Sequence, residues 1–350
     1  MKTSLFKKRN LIIGVSIIGI VLLLYVIYIL LSIHFEGFTN DDTQIKKVIS
    51  TFDNSSGFYS NLMFKLNHYI YSKKHNINFE VDTNNWPYQI DKGWIDYFED
   101  VKLNPLVDVN ITDVEIKRMP GCCSTIEEYP LSDYIDVISE FYKPNKMVLE
   151  YIKSKYLEFN ITENDYGAIY IRRGDKLVDE INFIHSNKFV DRLFEKYPEC
   201  STIFVQTDDY NSIIEIKDYI YEKLIRPDIK VITLCPENVF GSIASNYYRD
   251  LMLDENRIKS GNENKQYLNK IKNNLSKNII DMNIDERRAH TLELLTSVDI
   301  CCNARICICD YDSNVSRFIK LSHWDNVFDV SDKDNNLSKQ LIKCPAWNIP

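Results

Sequence analysis

Glycine and proline are scarce in this sequence, with 10 of each among its 350 residues, and no internal repeat is present. This composition excludes a collagen-like chain. Hydrophobic residues make up 45% of the sequence and charged residues 26%, which is typical of a folded globular protein rather than a disordered one. A chain of this length can form two domains with a sizeable hydrophobic core.

Positive charge is also in short supply. The chain has 42 Lys and Arg residues against 50 Asp and Glu residues, a formal net charge of -8. Four of the cations, Lys2, Lys7, Lys8 and Arg9, precede the first apolar segment, so the rest of the chain carries 38 basic against 50 acidic residues, or -12. This balance disfavours a nucleic-acid partner, and we expect none.

The sequence also lacks the closely spaced cysteine pairs that are typical of zinc sites. No C-x2-C pair occurs, and Cys307-x-Cys309 lies in a strand-like run, where buried apolar cysteines are more common than zinc ligands. The odd number of cysteines leaves at least one without a disulfide partner, although a lumenal domain would permit disulfides. The cysteines are Cys122, Cys123, Cys200, Cys235, Cys301, Cys302, Cys307, Cys309 and Cys344.

The segment from Leu11 to Ile33 is apolar and contains no charged residue. A helix of this length crosses about 30 Å of hydrocarbon, and the segment is too long for a cleaved signal peptide. Basic residues precede it and Glu36, Asp41 and Asp42 follow it, so the positive-inside rule places the N-terminus in the cytosol. We therefore predict a signal anchor in the lipid bilayer and a single-pass type II membrane protein whose folded part, after residue 33, lies in the Golgi or ER lumen, or outside the cell.

Helix-like and strand-like segments alternate from the strand-like run 167–171 onward, which is typical of a parallel sheet. We predict the α/β fold class, with a C-terminal Rossmann-like, doubly wound domain. The polar segment 256–277 is predicted to be an insertion or a flexible loop. The expected divisions are 1–10 (cytosolic tail), 11–33 (transmembrane signal anchor), 34–50 (short stem), 51–164 (N-terminal α/β domain, on the acceptor side), 165–335 (Rossmann-like domain) and 336–350 (C-terminal tail).

Three of the predicted strands end in clusters of polar residues. Because the carboxyl ends of the strands in a doubly wound sheet share one edge, we expect the clusters to line one crevice. Adjacent arginines at a strand end are costly without an anion, and a phosphate or pyrophosphate is the usual anion there. Each cluster taken alone could instead be a helix cap or a set of surface ion pairs. The clusters are Arg172-Arg173-Gly174-Asp175-Lys176, Thr207-Asp208-Asp209 and Asp310-Tyr311-Asp312-Ser313-Asn314.

These residue types suit transfer from a nucleotide sugar. Such an enzyme needs cations or amide donors for the leaving diphosphate and a carboxylate that deprotonates the acceptor hydroxyl. Arg172 and Arg173 are candidates for the first task, and Glu180 is the candidate for the second. Lys176 would bias that carboxylate or stabilise charge on the leaving group. Because arginines can neutralise a diphosphate, we expect no metal cofactor.

The motifs resemble those of the alpha-1,6-fucosyltransferases, which fucosylate the N-glycan core, and more loosely those of other GDP-fucose transferases with an Arg-Arg-x-Asp motif. Residues 170–180 are similar to the family pattern His-Val-Arg-Arg-Thr-Asp-Lys with a glutamate four residues later. The resemblance covers roughly residues 50 to 325. Its other parts are Gly57-Phe58-Tyr59-Ser60-Asn61 (a glycine-rich donor loop), Asn85-Trp86, Tyr88 and Gly93-Trp94 (aromatic landmarks), Thr207-Asp208-Asp209, and Ser313-Asn314-Val315-Ser316-Arg317 (Ser-Ser-Gln-Val-Cys-Arg).

This resemblance implies a GT-B-like fold and inverting, metal-independent transfer of fucose from GDP-fucose to a glycan hydroxyl, with an alpha-1,6 linkage on an N-glycan core as one candidate. By position, Arg172 would hold the β-phosphate and Tyr88 would line the guanosine site. The expected catalytic residues are Glu180, as base, and Lys176. The expected donor-binding residues are Arg172, Arg173, Asp175, Tyr170, Gly57, Tyr88, Asp208, Asp209, Ser313 and Asn314, of which Ser313 and Asn314 would hydrogen-bond the diphosphate.

Three positions depart from the family pattern. Tyr170 stands in place of histidine, Tyr59 in place of a small glycine in the donor loop, and Asn314 in place of glutamine. The resemblance also implies an acidic site residue in the helix that precedes the last predicted strand. Glu293 and Asp299 are both candidates for it. The acceptor, a glycan or glycoprotein, is not inherited, because the first domain diverges most.

Other functions stay open at this point. Asp310-x-Asp312 follows a strand-like run and could hold Mn²⁺ in a metal-dependent transferase that uses another nucleotide sugar. The tripeptide Arg173-Gly174-Asp175 could belong to an adhesion or glycan-binding protein, although that function needs a projecting loop. An inactive family member that only binds the sugar nucleotide is a further alternative.

Overall fold

Two parallel β-sheets organise the part of the chain that the computed structural model describes, residues 47–52, 56–101, 116–119 (backbone only), 129–178, 183–241, 261–271 and 277–331. The chain divides into two units, and all described residues lie in the unit Lys47–Asp108 with Ile116–Pro350. The predicted anchor 11–33, the tails 1–10 and 336–350, and Glu180 lie outside the described residues. No helix within the described ranges combines the length and apolar character that a bilayer span requires.

The first sheet has three parallel strands, β1 (Lys47–Thr51), β2 (Asn78–Asp82) and β3 (Ile116–Met119), in the order β2-β1-β3. Helix α1 (Phe58–Lys74) connects β1 to β2 and packs against both strands. Its buried side chains include Leu62, Leu66 and Tyr69, a helical spacing that forms one continuous apolar face.

Two further helices, α2 (Leu131–Phe141) and α3 (Lys146–Phe159), precede the second sheet. Pro144 lies between them, and proline cannot donate the backbone hydrogen bond that a helix interior needs. The Asn145 side chain begins α3 by accepting a hydrogen bond from the Val148 amide at 3.1 Å. Asn160 ends α3 in the left-handed conformation.

The second sheet has five parallel strands in the order β6-β5-β4-β7-β8. From β4 the chain moves outward to β5 and β6, and it then returns to place β7 and β8 on the other side of β4. This is the doubly wound order, and its direction reverses between β4 and β7. The strands are β4 (Gly167–Ile171), β5 (Thr202–Thr207), β6 (Lys230–Ile232), β7 (Ile306–Cys309) and β8 (Val327–Asp329).

Helices and short helical turns join these strands. The helices are α4 (Ser186–Lys196), α5 (Asn211–Asp218), α6 (Asn262–Ile271), α7 (Ile284–Cys302) and α8 (Asn314–Ser322). The 3-10 turns are Gly93–Asp96, Gly174–Leu177, Ile279–Asp281 and Trp324–Asn326, and a π-helical turn, Tyr219–Lys223, extends α5.

Strand β4 separates two hydrophobic cores. All five of its residues are buried. Ala168 and Tyr170 pack into the core that also contains α1, α7 and α8, whereas Ile169 and Ile171 pack into the core formed with α4 and α5. Successive side chains of a strand point to opposite faces of the sheet, which produces this division.

The predicted α/β class with parallel sheets is confirmed, and β4 has the predicted bounds. Two local predictions are wrong. The stem predicted for 34–50 overlaps β1, the central strand of the first sheet, whose Val48 is buried. For the segment 256–277, predicted as an insertion or a flexible loop, the loop alternative is wrong over residues 262–271, which form α6 and bury Tyr267, Leu268 and Ile271.

Candidate functional site

A cavity of about 590 Å³ lies at the carboxyl ends of β4 and β5, beside the residues that follow β7. This is the edge at which the strand order reverses, where ligands bind in doubly wound folds. The cavity draws residues from the start of α1, the loop after β6, the α7 helix and the start of α8. Those of the predicted site that line it are Gly57, Tyr88, Tyr170, Arg172, Lys176, Asp208, Ser313 and Asn314.

Arg172 faces the cavity from the end of β4. Its Nη2 donates to Asp175 Oδ1 at 2.6 Å, and its Nη1 pairs with the Asp208 carboxylate. The Asp175 side chain is only 1% exposed and does not line the cavity. Asp175 therefore orients the guanidinium from behind, and Asp208 meets it from the neighbouring strand.

Arg173 points the other way, which corrects the prediction that both arginines face one anion. Its side chain is 1% exposed, with Nη2 donating to Glu215 Oε2 at 2.8 Å and to Ser186 Oγ at 3.0 Å. Its Nη1 donates to the Tyr267 hydroxyl at 2.9 Å, and the guanidinium lies 4.5 Å from the Phe183 ring centroid. Because β4 alternates, Arg173 continues the face that is covered by α4 and α5, and it joins those helices to α6.

Asp208 and Asp209 divide in the same manner. Ile171 lies opposite Thr207 in the parallel register of β4 and β5. Beyond this pair, Asp208 meets Arg172 in the cavity, whereas Asp209 lies 3.5 Å from Arg173 and accepts a hydrogen bond from the Asn211 amide at 3.2 Å. Burial raises the pKa of Asp209, and the positive charge of Arg173 opposes this shift. Asp209 is therefore a buried structural carboxylate and not a donor-binding residue.

The Arg-Gly-Asp tripeptide is buried throughout, since Arg173 and Asp175 are each 1% exposed and Gly174 is buried as well. An adhesion motif has to project into solvent. The adhesion hypothesis is therefore wrong for the folded chain.

Tyr170 lies beside Ser313 and lines the cavity near Arg172. Ser313, at the start of α8, lies close enough to Tyr170 to act on its pKa. Burial raises the pKa of Tyr170 to about 12, while Arg172 opposes this shift, so the phenol stays neutral at physiological pH.

Tyr88 and Gly57 shape the opposite wall. The Tyr88 hydroxyl accepts a hydrogen bond from the Phe58 amide at 3.2 Å, directly at the start of α1. Burial raises the pKa of Tyr88 to about 12. A Cβ atom built on Gly57 meets no other atom within 4 Å, so this glycine leaves open space where α1 begins. Backbone amides at a helix N-terminus favour anions such as phosphate.

Tyr59 does not obstruct the cavity, although it replaces a small residue of the family pattern. It is buried in the core, its hydroxyl lies 3.0 Å from the Tyr142 hydroxyl, and its ring centroid lies 4.9 Å from that of Phe318. The wall at Gly57 therefore remains open despite the larger neighbour.

Helix α7 supplies cavity residues that the strand-end motifs did not reveal. Glu286, His290 and Glu293 all line the cavity. Their spacing of three and four residues places them on one helix face, and this spacing is the sequence signal that could have found them. Of the two acidic candidates in α7, Glu293 is therefore the residue in the site. Burial raises its pKa.

Asp299, the other candidate, lies away from the cavity. Its Oδ1 accepts hydrogen bonds from the Tyr156 hydroxyl at 3.1 Å and from Asn303 Nδ2 at 3.2 Å. Burial raises the pKa of Asp299 to about 6. Asp299 thus joins α7 to α3 and takes no part in the site.

The start of α8 completes the cavity with Ser313 and Asn314. Arg317 Nη1 donates to Asn314 Oδ1 at 3.2 Å, so the amide group is oriented by its own helix. Asp310 and Asp312, the candidate manganese ligands, do not line the cavity. Across the described ranges, no group of three or more His, Cys, Asp or Glu side chains is arranged to hold a metal ion.

Several solved structures are similar to this chain. They include NodZ alpha-1,6-fucosyltransferase soaked with GDP-fucose (TM-score 0.47, 11% identity, covering 79% of this chain and 91% of that chain). They also include an Arabidopsis thaliana FUT1 mutant in complex with GDP (TM-score 0.45, 9% identity, covering 83% of this chain and 71% of that chain). A third is POFUT1 in complex with GDP (TM-score 0.41, 10% identity, covering 80% of this chain and 95% of that chain). No family model and no curated protein matches the sequence. At these TM-scores and identities, the function of this chain has to be argued from its own residues.

Proposed function

We propose that this chain is a GT-B-like, membrane-anchored fucosyltransferase that moves fucose from GDP-fucose to a glycan hydroxyl with inversion and without a metal ion. The observation that supports it most is the convergence of Arg172, Ser313, Asn314 and the start of α1 on one cavity at the switch point of the second sheet. These are the donors that a diphosphate requires, and they come from three separate parts of the chain: the end of β4, the start of α8 and the start of α1.

The diphosphate would lie between Arg172 and the helix starts. Arg172 offers a fixed guanidinium for a phosphate, and its orientation by Asp175 reduces the entropy that binding would cost. The amides at the start of α1 and the Ser313 and Asn314 side chains would provide further hydrogen bonds. With these donors the diphosphate oxygens can be hydrogen-bonded without Mn²⁺.

The guanine would lie against the aromatic and acidic part of the cavity. Tyr88 and Tyr170 provide ring surfaces, and Glu293 provides a carboxylate. Guanine presents two adjacent N–H donors on its Watson–Crick edge, which a carboxylate can accept together, whereas uracil presents only one. This complementarity favours a GDP-sugar over a UDP-sugar.

For the transfer step we propose Glu180 as the base and Lys176 as the neighbouring cation. The base takes the proton of the acceptor hydroxyl, the oxygen attacks the anomeric carbon, and the bond to the diphosphate breaks with its electron pair leaving on GDP. Lys176 lines the cavity near Arg172, where a cation stabilises the charge that develops on the leaving group.

The acceptor and the cellular location are also proposals. A glycan or glycoprotein acceptor, with an alpha-1,6 linkage on an N-glycan core as one candidate, follows from the motif resemblance. The apolar segment 11–33 and the charges around it favour a type II protein whose catalytic part lies in the Golgi or ER lumen.

The decisive experiment measures binding and donor hydrolysis by the full-length protein with GDP-fucose, GDP-mannose and UDP-sugars, each with and without excess chelator. We expect preference for GDP-fucose and activity that survives chelation. Equal use of all donors would contradict the donor assignment, and loss of activity in chelator would support the manganese-dependent alternative.

A further inference from the structure

His290 lines the cavity but belongs to none of the sequence motifs described above. It lies on the face of α7 that also carries Glu286 and Glu293, and it is partly buried there. Among the residues that the structure describes, His290 forms no hydrogen bond. A partly buried polar ring that is aimed into a cavity and has no protein partner is suited to a ligand.

The electrostatic setting keeps this ring neutral while the cavity is empty. Burial lowers the pKa of His290 to about 4, and the positive charge of Arg172 contributes to the shift. At physiological pH the imidazole therefore carries one N–H donor and one acceptor nitrogen.

The other charged groups around His290 come from several elements. The basic residues that line the cavity are Arg172, Lys176 and Lys277, and the acidic residues are Asp208, Glu286 and Glu293. Arg172 is paired with Asp208, and Lys277 Nζ donates to Glu286 Oε2 at 2.7 Å. Because much of the positive charge is already paired, a diphosphate that enters makes the cavity negative and favours an additional proton there.

We propose that His290 is a diphosphate-binding residue that donates a ring N–H to the nucleotide and takes up one proton from solvent as the nucleotide binds. The inference rests on the proposed function in so far as the cavity binds a nucleoside diphosphate. It assigns to α7 a part in holding the leaving group, in addition to the guanine contact of Glu293.

GDP is the probe for the test. Calorimetric titrations of the full-length protein in two buffers with different ionisation enthalpies measure the protons taken up on binding, at about pH 7.5 and at about pH 5.5. The terminal phosphate of GDP itself titrates near pH 6, so the difference between wild type and His290→Gln at each pH is the readout. His185→Gln is the matched control, because His185 is exposed and does not line the cavity.

We expect wild type and His185→Gln to take up more protons than His290→Gln. Their affinity for GDP should gain about tenfold over that of His290→Gln as the pH falls, the size of one charge-assisted hydrogen bond. Equal proton uptake and parallel pH dependence in wild type and His290→Gln would overturn the inference and leave the proposed function intact.

Failure of the proposed function and failure of the variant to fold give different results. If folded wild-type protein does not bind GDP at either pH, the proposed function fails and the inference fails with it. If His290→Gln does not fold, ¹⁵N chemical shifts of the histidine rings in the wild type give the answer. A ring that changes from neutral to imidazolium on addition of GDP supports the inference, and unchanged shifts overturn it.

Discussion

Arg172 and Arg173 are neighbours in the chain and have different surroundings. Arg172 lines the cavity and is paired with Asp175 and Asp208, whereas Arg173 is enclosed by α4, α5 and α6. One arginine therefore serves a ligand and the other holds helices to the sheet. Substitutions at the two positions should be distinguishable by experiment.

Arg172→Ala should weaken GDP binding by at least about a hundredfold, since it removes a charge-assisted contact from the cavity. It should cost less stability than Arg173→Ala, because Asp175, which loses its partner Arg172, retains other interactions. Arg173→Ala should instead lower the free energy of unfolding by about 3–5 kcal/mol, because it leaves the fully buried Asp209 carboxylate without its charged partner. Calorimetry with GDP and denaturant titration of both variants measure the two quantities. A loss of stability in Arg172→Ala that equals that of Arg173→Ala would contradict this division.

Glu180→Gln should retain GDP binding and reduce transfer by about 10²–10⁴-fold, because glutamine is similar in size and cannot act as a base. Single-turnover rates and GDP affinity, measured on the same preparation, separate binding from chemistry. Equal losses in both would assign Glu180 to donor binding and not to proton transfer.

Asp299 should make stability depend on pH. Burial raises its pKa in the folded protein to about 6, above the value of about 3.9 in an unfolded chain. The folded state therefore binds the proton more tightly, and this contribution to stability is full below about pH 4 and is lost as the pH rises through about 6.

Accordingly, Asp299→Asn should raise the free energy of unfolding at about pH 7.5 by about 1–3 kcal/mol, since asparagine can accept the same hydrogen bonds without a charge. The gain should disappear near pH 4. Thermal denaturation at both pH values measures it, with the exposed Asp285→Asn as control. A gain of the same size at both pH values would show that charge burial is not the cause.

At the scale of elements, α6 fixes the chain on both sides of residues 179–182. Asn264 Nδ2 donates to the Leu177 carbonyl at 2.9 Å, and Asn264 Oδ1 accepts from the Phe183 amide at 2.8 Å. Leu268 and Ile271 pack against Leu177 in a small hydrophobic cluster. The proposed base, Glu180, follows three residues after Leu177 in the sequence.

Asn264→Ala should therefore destabilise the protein by about 1–3 kcal/mol, because it leaves a buried amide and a buried carbonyl without partners. Hydrogen exchange at the Phe183 amide should accelerate, and Gln266→Ala on the exposed face of α6 should change neither quantity. If both variants behave alike, these hydrogen bonds do not hold α6 in place.

The sequence predicts the elements that have a strong periodic pattern, and it fails where the pattern is weak. Strand β4 is a short apolar run that ends in charge, and its bounds were predicted correctly. Helix α6 is rich in Asn and Lys, and its few apolar residues hardly reveal a buried face, so the sequence indicates an insertion or a flexible loop there. The alternation of β4 continues past its last residue and separates Arg172 from Arg173, whereas two adjacent cations in a sequence suggest one shared anion.

At the scale of the whole molecule, the cavity draws on both sheets. Gly57 and Tyr88 come from the part of the chain that holds the first sheet, and Tyr170 and Ser313 from the part that holds the second. A ligand that contacts all of them stabilises only the folded chain. Its effect should therefore appear in global unfolding and not in one segment alone.

GDP should raise the free energy of unfolding by about 2.7 kcal/mol at a concentration one hundred times its dissociation constant. UDP at the same concentration should have a smaller effect, because Glu293 can pair with two donors of guanine and with only one of uracil. Thermal shift series with both nucleotides test this. Identical shifts would remove Glu293 from base recognition.

The two faces of β4 make the parity of the strand functional. Side chains with even residue numbers lie on one face of the sheet: Ala168, Tyr170 and Arg172. Side chains with odd residue numbers lie on the other face: Ile169, Ile171 and Arg173. Deletion of one residue within β4 would place every later side chain on the wrong side. Point substitutions can be tolerated at such a site one at a time, whereas a change in length of one residue reverses the entire arrangement.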